Sequence, residues 1–191
     1  MSKKYLLIPS NFLIAFLIIF IVFSLVSKFN KLETKAEVLL EVNTSTPTLF
    51  QIPRLGINAK IEPVGITPLG LMDSPKGPSN VGWFKLGTPI GEIGSAEIDG
   101  HSGYKNNIPA VFDDLHKIKK GDKILVESTD GITMTFIVHE IKTYDKNAES
   151  TTVFSSNDGL AHLNLITCSG DWNVLEKTHS TRLIVFTTRE L

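Results

Sequence analysis

Lys123-Ile124-Leu125-Val126-Glu127-Ser128-Thr129-Asp130-Gly131-Ile132-Thr133-Met134-Thr135-Phe136-Ile137-Val138 decides the fold class. Two alternating apolar segments flank Asp130-Gly131, a dipeptide suited to a tight hairpin because both residues tolerate positive φ. A strand turns successive side chains to opposite faces, so Ile132, Met134, Phe136 and Val138 share one face. Working outward, the pattern repeats. Apolar runs at Phe50–Leu55, Ile57–Ile61, Ala96–Ile98, Lys123–Glu127, Ile132–Ile141, Leu160–Thr167 and Leu183–Thr187 are parted by turn residues. Many short strands joined by Gly- and Pro-rich connections predict a mainly β barrel or sandwich. One short helix is expected at Ala110–Ile118, where Phe112, Leu115 and Ile118 form a stripe before Gly121.

The chain has 191 residues, 42% hydrophobic and 20% charged, with a formal net charge of −1. That apolar fraction buries a real core and excludes general disorder. The near-zero charge lacks the basic face that meets phosphates, so no nucleic-acid partner is expected. A lone cysteine, Cys168, excludes an internal disulfide framework and a multi-thiolate zinc site.

Apolar residues concentrate at the start. Residues 5–27 contain no charged side chain, and as a helix those residues span ~34 Å against a hydrocarbon core of ~30 Å. A cleaved signal is the other reading, but its apolar region is ordinarily shorter and ends at a small-x-small site, which Ser24 and Ser27 do not make. The chain therefore reads as a cytoplasmic tip (1–4), a single transmembrane anchor (5–27), a polar stalk (28–48) and one exported domain (49–191). Lysines flank the span on both sides, at Lys3, Lys4, Lys28, Lys31 and Lys35, so orientation rests on the simpler topology, in which the folded domain lies outside. Five cations and three anions precede residue 49, leaving the domain about −3.

Three polar residues sit where strands meet loops. His101 follows Ile98-Asp99-Gly100, Cys168 ends Leu163-Asn164-Leu165-Ile166-Thr167, and Arg182 opens Leu183-Ile184-Val185-Phe186. Antiparallel pairing of the last two strands would set Cys168 beside Arg182, with Ser169–Thr181 as a thirteen-residue loop. Gly100 would let the chain bend and release the histidine ring. A thiolate attacks a carbonyl, an imidazole takes and returns its proton, and a guanidinium fork stabilises the oxyanion. Taken singly, a cysteine among apolar neighbours is more often a small buried hydrophobe.

Motifs shift those odds. Leu165-Ile166-Thr167-Cys168, followed after fourteen residues by Arg182, resembles the Leu-x-Thr-Cys…Arg signature of the sortases, membrane-anchored cysteine transpeptidases mostly of Gram-positive bacteria. Val81-Gly82-Trp83-Phe84, Gly91-Glu92-Ile93-Gly94-Ser95-Ala96 and Asp99-Gly100-His101 are similar to a block of the class E and class F branches. Phe112-x-x-Leu115-x-x-Ile118-x-x-Gly121-Asp122 follows as it does in that family. The resemblance covers roughly residues 50–188 and departs at Pro89-Ile90-Gly91-Glu92, where those branches often read Pro-Gly-Glu.

The resemblance implies a closed eight-stranded β-barrel with one or two short helices, and His101, Cys168 and Arg182 as catalytic trio. It implies cleavage of a Leu-Pro-x-Thr-Gly-like sorting signal on surface proteins between Thr and Gly, then transfer of the thioester to a cell-wall precursor amine or a pilin lysine. Thr167 would position substrate or oxyanion, and Trp172 would line a peptide groove or cap the rim. His179 is a second candidate base; His116 reads as solvated, and His139 and His162 as barrel-surface residues. No cofactor or catalytic metal is expected. Some sortases bind calcium between loops, but Asp113, Asp114 and Glu149 read as solvated acids. An L,D-transpeptidase would hold histidine and cysteine close in sequence, whereas His101 and Cys168 lie 67 positions apart. The other class is a non-catalytic membrane-tethered wall-binding module on a degenerate barrel.

Overall fold

The computed structural model describes residues 23–28, 45–103 and 108–190. Two compact units divide the chain, residues 1–44 and 45–191. In the first, residues 23–28 are helical. No helix among the described residues is long and apolar enough to cross a membrane. Most of the expected anchor (5–27) and stalk (28–48) lies outside the described residues.

The second unit closes eight strands into a barrel: β1 (Pro47–Ile52), β2 (Ile57–Val64), β3 (Val81–Phe84), β4 (Gly94–Gly100), β5 (Lys123–Ser128), β6 (Thr133–Asp145), β7 (Ala161–Asn173) and β8 (Thr178–Arg189). Their order around the barrel is β1-β2-β3-β4-β7-β8-β6-β5. β2–β3 and β4–β7 are parallel, and the other neighbours are antiparallel. The mainly β class read from the strand pattern, and the closed eight-stranded barrel implied by the resemblance, are what form.

Alternation builds the interior. Phe136 and Val138 of β6 are buried in the core with Phe50, Ile52, Ile98, Ile124, Val126, Leu163 and Leu165. Met134 packs against them from the same face. Ile132 does not follow: it lies in the turn before β6 and is 55% exposed. The expected helix at Ala110–Ile118 tightens instead into turns ending in a 3-10 segment, Leu115–Lys117. Its stripe still does the expected job, because Phe112, Leu115 and Ile118 are all buried.

A second, smaller apolar cluster lies on the outer face of the barrel. Val153, from the short helix Thr151–Phe154, packs on Ile184 and Phe186 of β8, with Tyr144 and Ile166 at its margin. This helix hides a stretch of outer face from water. His162 is 8% exposed rather than a surface residue, with Nδ1 on the Thr187 carbonyl and Nε2 on Asp158, both at 3.0 Å, and the His139 ring against it.

Candidate active site

Along β7, Leu163, Leu165 and Thr167 face the interior, and Ile166 and Cys168 face outward. β8 runs antiparallel beside it with Cys168 directly opposite Arg182. On the other side β4 runs parallel to β7, its last pair being Asp99 with Ile166, so two residues further His101 lies level with Cys168. The Thr167 hydroxyl ties the two strands by donating to the Gly100 carbonyl at 2.7 Å. Two distant stretches of chain thus run side by side at the level of Cys168.

The loop expected at Ser169–Thr181 is largely strand. Pairing continues past Cys168 through a bulge between Ser169 and Trp172, and only Val174–Lys177 turns. This extension carries no core face, so its polar composition did not announce a strand. Gly100 also has a different role from the one expected. It lies within β4, and a Cβ there would come within 2.4 Å of the Phe112 ring, so close packing requires the glycine.

His101 Nε2 lies 2.8 Å from the Pro75 carbonyl. A carbonyl only accepts, so Nε2 carries the hydrogen and Nδ1 is the basic nitrogen of the neutral ring. The Arg182 fork is held by the hairpin: Nη1 donates to the carbonyls of His179 (3.1 Å) and Thr181 (2.9 Å), and Nη2 to Thr178 Oγ1 (3.1 Å). That anchoring fixes the cation beside the cysteine strand.

Cys168 opens onto two clefts. One, of about 360 Å³, is bounded by Leu71, Ser74, Asp99, Tyr144, Phe154 and Arg182. Its size falls in the range of small-ligand sites. The other, of about 270 Å³, is bounded by Ser102, Asp113, His116, Gly170 and His179. Trp172 is 54% exposed and stacks edge-on against His179, with ring centroids 5.2 Å apart. It does not line either cleft.

Burial pushes the Cys168 thiol up, the Arg182 guanidinium pulls it down, and Asp99 adds to the upward push. Asp99 is itself raised by burial, against a Ser74 hydrogen bond, His101, the Gly100 amide and Arg182. The resting sulfur is therefore a thiol, activated only when a base takes its proton. Sequence reasoning gave Asp99 no role beyond its place in the Asp99-Gly100-His101 motif. The available signal was the acid pair Glu97 and Asp99 at alternate positions of one short strand, on the face opposite Ala96 and Ile98.

Among the described residues, no three His, Cys, Asp or Glu side chains gather as metal ligands. Asp113 instead accepts from the Gly103 and Ala110 amides, Asp114 pairs with Lys117, and Glu149 bonds Thr151.

The family model of the Sortase domain matches residues 50–190. The barrel is similar to sortase C-1 from Actinomyces oris, at 24% identity and TM-score 0.61, over 82% of this chain and 81% of that one. It is also similar to sortase A from Corynebacterium diphtheriae, at 23% identity and TM-score 0.60, over 76% of this chain and 61% of that one. Sortase C2 of Group B Streptococcus pilus island 1 is 26% identical with TM-score 0.57, over 80% and 77%. No curated protein gives a significant match.

Proposed function

The chain belongs to the sortase family, and from that premise we propose that it is a membrane-anchored cysteine transpeptidase acting on Leu-Pro-x-Thr-Gly-like sorting signals. In this reading His101 takes the Cys168 proton, and the sulfur attacks the threonine carbonyl of the signal. Charge develops on that oxygen, where the Arg182 cation, held opposite the sulfur, opposes it. The tetrahedral adduct collapses as His101 returns the proton to the glycine amine, which leaves. The thioester on Cys168 is then taken by a cell-wall precursor amine or a pilin lysine. Thr167 acts here as a positioning residue, since its hydroxyl is spent on the Gly100 carbonyl beside His101.

One observation carries the reading: Cys168 and Arg182 are register partners, level with the end of the strand that delivers His101. The apolar stretch 5–27 supports a single-pass anchor with the N-terminus cytoplasmic and the barrel outside. The test is the full-length chain in detergent with a Leu-Pro-Ala-Thr-Gly peptide and triglycine. Cleavage at Thr–Gly with transfer is expected, and Cys168→Ala abolishes both. Turnover by that variant would overturn the nucleophile.

A further inference from the structure

Cys168 borders two clefts, and the transpeptidase reading needs two substrates to reach one sulfur. The second cleft holds a base that the mechanism above leaves unused. His179 Nδ1 lies 2.9 Å from the Gly170 carbonyl, an acceptor only, so Nδ1 carries the hydrogen and the Nε2 lone pair is presented by the neutral ring. Nε2 has no hydrogen-bond partner among the described residues and points across the cleft toward Gly103. A Cβ on Gly103 would stand 3.5 Å from it, in ordinary contact, and Gly103 has φ +68, a conformation that strains any other side chain.

The facing wall supplies charge. The Asp113 carboxylate is fixed by the Gly103 and Ala110 amides at 2.7 and 2.8 Å, and His116 stands beside it. An anionic wall opposite a preset imidazole lone pair suits a primary ammonium group. Trp172 stacked on the ring holds its orientation.

We propose that this second cleft receives the acceptor amine and that His179 Nε2 takes its proton, a division of labour in which His101 serves acylation. The inference rests on the transpeptidase reading. An arriving ammonium gives one proton to Nε2, which exposes the nitrogen lone pair. The new C–N bond forms at the thioester carbonyl as the C–S bond breaks. The second amine proton ends on the Cys168 sulfur, restoring the thiol, and His179 returns its proton to solvent.

The experiment uses the full-length chain in detergent with a Leu-Pro-Ala-Thr-Gly peptide and two acceptors: triglycine, which arrives largely protonated, and hydroxylamine, which is largely unprotonated at neutral pH and needs no base. His179→Gln retains a donor for the Gly170 carbonyl. First-turnover release of the glycine-ended product is expected within about twofold of wild type. Transfer to triglycine falls roughly 100-fold, the size expected for a lost general base, while transfer to hydroxylamine is nearly unchanged. His179→Ala shows the same pattern, and added imidazole restores triglycine transfer. Equal losses with both acceptors, no loss with either, or slowed first-turnover release would overturn the proposal. A wild-type chain that releases no glycine-ended product would instead overturn the transpeptidase reading beneath it.

Discussion

Asp99 is the residue whose consequences reach furthest beyond the trio. Its carboxylate opposes ionisation of the Cys168 thiol, while Arg182 favours it. Asp99→Asn removes one of the two upward pushes, so the rise of thiol reactivity with pH moves to lower pH. The rate of Cys168 alkylation by iodoacetamide across a pH series measures this, and an unmoved or upward-moved profile contradicts it. Glu97 poses a separate problem, two residues before Asp99 on β4. It is 1% exposed, both carboxyl oxygens lack partners among the described residues, and burial pushes it up to about 8. The fold thus keeps the proton up to about pH 8, whereas the unfolded chain sheds it near ~4.3. Stability is highest below the unfolded value and falls as pH rises through that window, with the full penalty above the folded value. Glu97→Gln, which mimics the neutral acid, is expected to raise Tm at pH 8.5 by several degrees and to leave it nearly unchanged at pH 4. Equal melting curves at pH 8.5 would contradict a buried, penalised carboxylate.

At the scale of elements, the β7–β8 hairpin and the end of β4 build the site. The antiparallel pairing of β7 with β8 was legible because both strands carry an apolar run, and such runs fix register where one face is buried, whereas the parallel join of β4 to β7 was not. The hairpin's outer half was not legible: Ser169–Asn173 and Thr178–Thr181 pair without a core face, so no alternation marked them. His162 misled for a related reason, since a strand's outward positions look solvent-facing until groups such as Asp158 and the His139 ring close over them. Gly100 was noticed but for the wrong cause. Its hydrogen accommodates the Phe112 ring, and Gly100→Ala is expected to cost about 1–3 kcal/mol by overpacking and to displace His101. Gly100→Ala combined with Phe112→Leu should recover part of that loss in denaturant titrations. A single variant as stable as wild type would show that the ring is not tightly seated.

The whole barrel depends on closure, which individual runs did not reveal. Val81–Phe84, the third strand, stood out as a family-like motif rather than as an apolar run, and the count of eight came from that resemblance. Two parallel joins, β2–β3 and β4–β7, carry the chain around so that His101, just past the end of β4, comes level with Cys168 within β7. Interior packing holds this arrangement. Phe136 is wholly buried, and Phe136→Ala should destabilise by about 3–5 kcal/mol, read as a lowered unfolding midpoint at unchanged slope. An inert substitution there would deny the barrel its filled core. The most direct measurement is intact-mass spectrometry of the full-length chain quenched in acid moments after mixing with the Leu-Pro-Ala-Thr-Gly peptide. The expected result is an added Leu-Pro-Ala-Thr acyl group on Cys168, removed by hydroxylamine and missing from Cys168→Ala. Cleaved peptide appearing while Cys168 never carries that acyl group would contradict the thioester and the site built around it.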